Sequence, residues 1–187
     1  MGGTDLNKWK IQKCFFKISS PWLTILGENI EDDKGQLLDY WRVEKADSVI
    51  ALTLQEDNIV LPSPSYRPGI SKLSLDFPGG RISDGSTPEK AVRRAILREL
   101  CIRDSDISEL LPLNAKGWPI NSSFSNQHLF GYVAKINKTS NTKKKKGISF
   151  YPSTDEGIER LLNKLTCLQC RNILLEWASS YRNRLSN

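Results

Sequence analysis

The chain is expected to be of mixed α+β class, and three observations carry that expectation. Strand-like runs dominate from Lys13 to Val60, a glycine turn and an amphipathic helix follow at Phe77–Ile102, and the C-terminal stretch reads as helical. At 187 residues the chain is long enough to bury a substantial core, and one domain is the expectation. Its composition is that of an ordinary soluble globular protein, with no apolar run long enough to span a bilayer. No membrane partner is therefore expected.

Taken in order, residues 1–12 are expected to be a flexible N-terminus. The opening MGGTDLNKWKIQK has no signal-peptide apolar segment, which makes the cytoplasm the expected compartment. Leu6 stands where a myristoylation start requires serine or threonine. Cys14–Ile18, Trp22–Ile30, Leu37–Val43 and Ser48–Leu54 read as strands. Ser19-Ser20-Pro21 breaks the first pair, and Asp32-Asp33-Lys34-Gly35 is a hairpin signal. Ile59–Leu61 begins a short run that Pro62 and Pro64 confine to an edge or bend.

The organising stretch reads FPGGRISDGSTPEKAVRRAILRELCI, from Phe77 to Ile102. A Pro-Gly-Gly turn ends the β-rich run, a polar loop follows, and Ser86-Thr87-Pro88-Glu89 launches a helix. Ser86 with Glu89 three residues on fits a capping box, and proline is tolerated in the first turn. Ala91, Val92, Ile96 and Leu100 recur at helical spacing, which turns Arg94, Arg98 and Glu99 to the opposite side. Further on, Leu111–Leu113, Asn126–Ile136 and Ile148–Tyr151 read as strands. Asp155–Leu165 reads as a short helix and Cys167–Leu185 as a second, with Leu174, Trp177, Ala178, Tyr181 and Leu185 on its apolar stripe.

Strand, glycine loop and capped helix together resemble the Nudix box, whose pattern is G-x5-E-x7-R-E-U-x-E-E-x-G-U with U a bulky apolar residue. The resemblance implies an α/β/α sandwich and, in active members, attack of water on a nucleoside diphosphate linked to another group. Clustered glutamates there hold magnesium or manganese, hard cations that want oxygen ligands. Aligned on Gly80, Gly85 matches the second loop glycine, Arg94 the box arginine and Glu99 the last glutamate of the pair. Ile96 and Ile102 match the apolar positions. Ser86, Ala95 and Arg98 stand where three box glutamates belong, Cys101 where the glycine belongs, and Ser83 where relatives often carry an acid. A register shifted to Arg98-Glu99-Leu100 puts Ile102 and Arg103 at the glutamate pair and rescues nothing. An arginine a few ångströms from a divalent cation repels it by several kcal/mol even at an effective dielectric of about 20. Glu99 is thus expected to pair with Arg94 or Arg98, and metal-dependent hydrolysis to be lost or much weakened.

The resemblance narrows to the ADP-ribose pyrophosphatase branch and covers the chain from about Cys14 to the last helix. In that branch an N-terminal β-hairpin extension, here residues 13–46 of a single domain 13–187, exchanges between two subunits. That implies a homodimer. Trp22, Tyr40 and Trp41 match the aromatics that sandwich adenine, and Arg67 of Tyr66-Arg67-Pro68 matches the arginine that contacts the diphosphate. These aromatics serve equally well as dimer-core residues without a ligand. With Gly80 and Arg98 they make up the expected nucleotide-binding set, for which ADP-ribose is the model ligand. The branch's glutamate-rich loop corresponds here to residues 137–147, which contain no acid; a solvated lysine is no general base near neutral pH.

The net charge of +6 includes one dense run, Lys143–Lys146. A solvated loop is the ordinary reading of such a run; the sharper one is a contact to nucleic acid or an acidic protein. Four cysteines do not make a disulfide framework in a chain this size; Cys167-Leu168-Gln169-Cys170 is a CxxC for which a zinc site would need two more ligands and a thioredoxin-like motif a different βα context, so structural cysteines at a helix start are the expectation. His128, the one histidine, is expected at a packed core or edge position. Three functional readings follow. The favoured one is an impaired Nudix-fold protein that binds a nucleotide or acts as a regulatory or structural subunit, with no confident catalytic residue and no confident cofactor. The second is an active hydrolase in which Glu99, helped by Asp84 or Glu89, still holds magnesium or manganese. The third is a basic interaction protein.

Overall fold

The computed structural model describes residues 9–138, 140 and 147–181. The Lys143–Lys146 run and Leu185 lie outside the described residues. Close packing groups the chain into two compact units, one from Met1–Ala46 with Pro119–Gln127 and one from Asp47–Trp118 with His128–Asn187.

The first unit is an antiparallel sheet in the order β1 (Lys10–Ser19), β2 (Thr24–Glu31), β3 (Leu37–Glu44). The expected hairpin extension is therefore three-stranded, and its first strand begins at Lys10, inside the stretch read as a flexible N-terminus. Register shifts at Ile11/Lys13 and Cys14/Phe16 break the alternation of β1, which is why its sequence shows no clean period of two. The β2–β3 turn forms where Asp32-Asp33-Lys34-Gly35 signalled it: Asp32 Oδ1 accepts from the N–H groups of Lys34 and Gln36, both at 2.8 Å. Leu26, Glu28 and Ile30 alternate inward on β2. Glu28, the buried polar member, is met by two guanidinium nitrogens of Arg42 on β3, at 2.7 and 3.1 Å. That bidentate pairing holds the Arg42 pKa above its ordinary value, through Glu28 first and Glu44 second.

The second unit is built on a mixed sheet. Its path runs β11 (His128–Ile136), β4 (Ser48–Gln55), β5 (Asn58–Leu61), β12 (Ser149–Pro152), with β10 (Trp118–Pro119) and β9 (Ile107–Pro112) on β11 and β8 (Gly79–Arg81) on β4. A two-stranded ribbon, β6 (Ser65–Arg67) and β7 (Lys72–Ser74), stands off it. The pivotal pairing is parallel, β4 with β11, in the register Val49↔Phe130 and Ala51↔Tyr132.

Alternation along these strands places the helices. Val49 and Ala51 of β4 and Tyr132, Ala134 and Ile136 of β11 share one core cluster with Ala91, Val92, Ile96 and Leu100 of α1 (Pro88–Leu100). The opposite face of β11 presents Gly131, where an added Cβ would collide with Ile173 of α3 (Leu168–Glu176). Side chains on a strand alternate between faces, so α1 and α3 cover opposite sides of the sheet. The sandwich expected from sequence is present, and Gly131 is what lets α3 approach.

Helix ends depart from the sequence reading in two places. The cap of α1 is Thr87, whose Oγ1 accepts from Lys90 N–H at 3.2 Å, one residue later than expected. Ser86 is engaged elsewhere, and Glu89 binds Arg93 at 3.0 Å instead of closing a capping box. The C-terminal helices are also shorter: α2 spans Asp155–Leu162, and α3 ends at Glu176 before a π-helical turn at Trp177–Tyr181. Leu174 and Trp177 are buried as the apolar stripe anticipated.

Candidate binding cleft

The second unit contains a cavity of about 700 Å³, walled by the start of β4, by Pro62–Ser65 and by Asp76–Gly80, and closed by Arg98, Glu99 and the first residues of α3. Antiparallel pairing of Gly79 with Ile50 and Gly80 with Val49 brings the glycine turn to this wall. The polar loop then reverses at Gly85, whose φ of +71° is a conformation that favours glycine, and α1 returns its C-terminal turn to the same place.

Arg98 lies directly over Gly80, where a Cβ would sit 3.2 Å from its Nη2. That nitrogen donates to the Gly79 carbonyl at 2.7 Å and to Glu99 Oε1 at 2.6 Å. Glu99 thus pairs with Arg98, one of the two partners expected for it. Arg94, the other, donates to Ser86 Oγ at 2.8 Å and does not line the cavity. Ala95, at the place of a family glutamate, is fully buried with Ala91, Val92 and Ile96 and is likewise absent from the cavity wall. Neither proposed helper lines the cavity: Glu89 belongs to a network with Arg93 and Asp104, and Asp84 is exposed on the loop. Among the described residues, the carboxylates lining the cavity are Glu99 and Asp76.

Cys101, where the family has glycine, ends α1 in the left-handed conformation with φ 55° and ψ 30°. Its N–H reaches Leu97 O at 2.9 Å. The backbone role of that glycine persists although its side chain does not.

Another part of the lining is organised by Asp76. Arg67 ends β6 and donates to Asp76 Oδ2 at 2.6 Å, while Ser74 Oγ donates to Oδ1 at 2.8 Å. Beside them stand Cys167, the residue that opens α3, and Cys170, one turn into it. Phe77 N–H points at Cys170 Sγ at 3.4 Å. The Cys170 thiol hydrogen-bonds Cys167 and, with the Cys170 and Gln169 backbone N–H groups, draws the Cys167 pKa down to about 6. The same hydrogen bond, together with burial, pushes Cys170 upward. The directions of both shifts favour a thiolate at Cys167 hydrogen-bonded by the Cys170 thiol. Sequence reading passed over this cluster because Asp76 stands one residue before the stretch under scrutiny and about ninety residues from the cysteines. The signal available was the CxxC itself.

The structure thus gathers Arg67, Gly80, Arg98 and Glu99 in one cleft of the second unit. Trp22, Tyr40 and Trp41 belong to the first unit. Trp22 sits exposed in the β1–β2 turn, Tyr40 meets Trp9 edge-on, and Trp41 packs against Phe15 and Phe16. His128 is a half-exposed edge residue whose N–H donates to Asp47 Oδ1 at 2.7 Å. No helix among the described residues is long and apolar enough to cross a membrane.

A mixed sheet between helices, with a glycine turn feeding a helix whose last residues face a cleft, is a Nudix-type fold. A solved structure described as an ADP compounds hydrolase superposes on 97% of this chain and 98% of its own, with a TM-score of 0.77 and 17% sequence identity. No protein-family model matches the sequence. No curated protein matches it either.

Proposed function

We propose that this chain binds a nucleoside diphosphate compound such as ADP-ribose in the cleft of its second unit and does not hydrolyse it with a divalent metal. The observation that carries the reading is the Arg98–Glu99 pair at 2.6 Å. A magnesium site needs several oxygen ligands free to turn toward the ion, and here the box carboxylate on the cleft faces a guanidinium of the same helix. Ala95 supplies no second oxygen. Arg98 and Arg67 remain as fork-shaped donors suited to phosphate oxygens. The likeness to an ADP compounds hydrolase supports the choice of ligand class. The aromatics of the first unit, Trp22, Tyr40 and Trp41, are proposed as a dimer-forming set.

The test is ADP-ribose binding by calorimetry with chelator present, and AMP release with magnesium or manganese. Binding is expected to be independent of metal. Loss of Arg98 in Arg98→Ala removes a charge-assisted bond of about 1.5–3 kcal/mol, which weakens affinity by about 10- to 100-fold. AMP release at enzymatic rates that is abolished by Glu99→Gln overturns the reading in favour of the hydrolase.

A further inference from the structure

Asp76, Cys167 and Cys170 stand apart from the box residues and present a different chemistry. One ligand atom of each lies within 4.8 Å of the other two. All three residues line the cavity, and both cysteines are free thiols. We propose that they form a binding site for a soft or borderline divalent cation, zinc first, with its fourth position open to the cavity.

Geometry supports the assignment. Zinc–sulfur bonds of about 2.3 Å and zinc–oxygen bonds of about 2.0 Å place tetrahedral donors about 3.5–3.8 Å apart, so the three side chains need to close by about an ångström at most. The cysteines are three residues apart at the opening of α3, so one short segment delivers both sulfurs. Phe77 N–H already points at one of those sulfurs, which suits a thiolate ligand.

Hydrogen bonding around the carboxylate fits as well. Metal-ligating carboxylates are usually held by outer hydrogen bonds, and Asp76 has two, from Arg67 and Ser74. Arg67 meets Oδ2 with two nitrogens, whereas Oδ1 accepts from Ser74 and keeps a further lone pair for a metal. Two thiolates, one carboxylate, one guanidinium and a divalent ion sum to zero, so the site balances its own charge once loaded.

Selectivity follows from the donor set. Thiolates favour zinc, and hard oxygen donors favour magnesium or manganese. The cleft would thus exclude the family's hard cation at Arg98–Glu99 and accept a softer one at Asp76, Cys167 and Cys170. The assignment shares Arg67 with the nucleotide reading but needs neither Arg98 nor Glu99, and a titration without nucleotide tests it separately.

The experiment is a cobalt titration of chelator-treated, reduced full-length protein without nucleotide. A thiolate-to-cobalt charge-transfer band should rise to stoichiometric saturation, bleach on adding stoichiometric zinc and ignore excess magnesium. It should vanish in Cys167→Ser, where serine is a good helix cap and the fold is checked by circular dichroism. Asp76→Asn should keep the band while weakening cobalt affinity at least tenfold. A Cys14→Ser/Cys101→Ser double variant should keep both band and affinity. Absence of the band in the wild-type protein, its survival in folded Cys167→Ser, or its loss in the Cys14→Ser/Cys101→Ser protein overturns the proposal.

Discussion

Restoring a family glutamate at position 95 asks whether the box has lost only its carboxylates or also the space for them. Ala95 is fully buried on the face of α1 that packs against the sheet. A glutamate there adds four heavy atoms beyond the alanine methyl, an overpacking cost of about 1–3 kcal/mol. Its carboxyl head, away from the cavity, adds about 1–3 kcal/mol for an unmatched polar group. The sum is about 2–6 kcal/mol, a large share of the ~5–15 kcal/mol that holds a typical protein folded. For a chain of this length each kcal/mol lowers Tm by about 2–4 °C, so Ala95→Glu is expected to melt about 4–24 °C below wild type. Arg98→Glu, on a side chain 60% exposed, should move Tm by no more than about 4 °C, because an exposed pair contributes about 0–1 kcal/mol. The assay is a thermal melt of both variants with and without manganese. An Ala95→Glu protein that melts with wild type, or that manganese stabilises by several degrees, refutes the argument that position 95 faces the core.

Two further predictions concern the cysteines. Cys101→Gly should raise stability by about 1 kcal/mol, because the left-handed conformation it occupies penalises a side chain; equilibrium unfolding in urea reads this, and a destabilised variant contradicts it. In metal-free protein lacking Cys14 and Cys101, alkylation should follow the lowered pKa of Cys167. Its rate should be level above about pH 7 and fall through a midpoint near 6, whereas an ordinary thiol with pKa ~8.5 is still accelerating there. A midpoint above 8 contradicts the thiol–thiolate pairing.

Much of the sandwich was legible because its signals are local. The β2–β3 turn declared itself in Asp32–Gly35, the amphipathic stripe of α1 in Ala91, Val92, Ile96 and Leu100, and the apolar runs of β4 and β11 in their own composition. The electrostatic reading of Glu99 was accessible for the same reason, since its partner is the preceding residue. Less was visible where structure depends on a competing contact. Ser86 resembles a cap, yet Arg94 engages its hydroxyl and Thr87 takes the role. Of the strand at Lys10–Ser19 only Cys14–Ile18 is legible, because two register shifts interrupt the alternation. The Asp76 cluster joins three segments that no sequence window spans, and Trp22, Tyr40 and Trp41 sit in a unit whose relation to the cleft is not a sequence property.

The parallel ladder between β4 and β11 has a temporal consequence. Its first rung joins Ser48 to Leu129, a separation of 129 − 48 = 81 residues, so closing it must follow an expensive loop. During synthesis β4 therefore waits, apolar and with one edge unpaired, until the strand beginning at His128 has emerged. Nascent chains halted before that point are the ones a holding chaperone would have to shield.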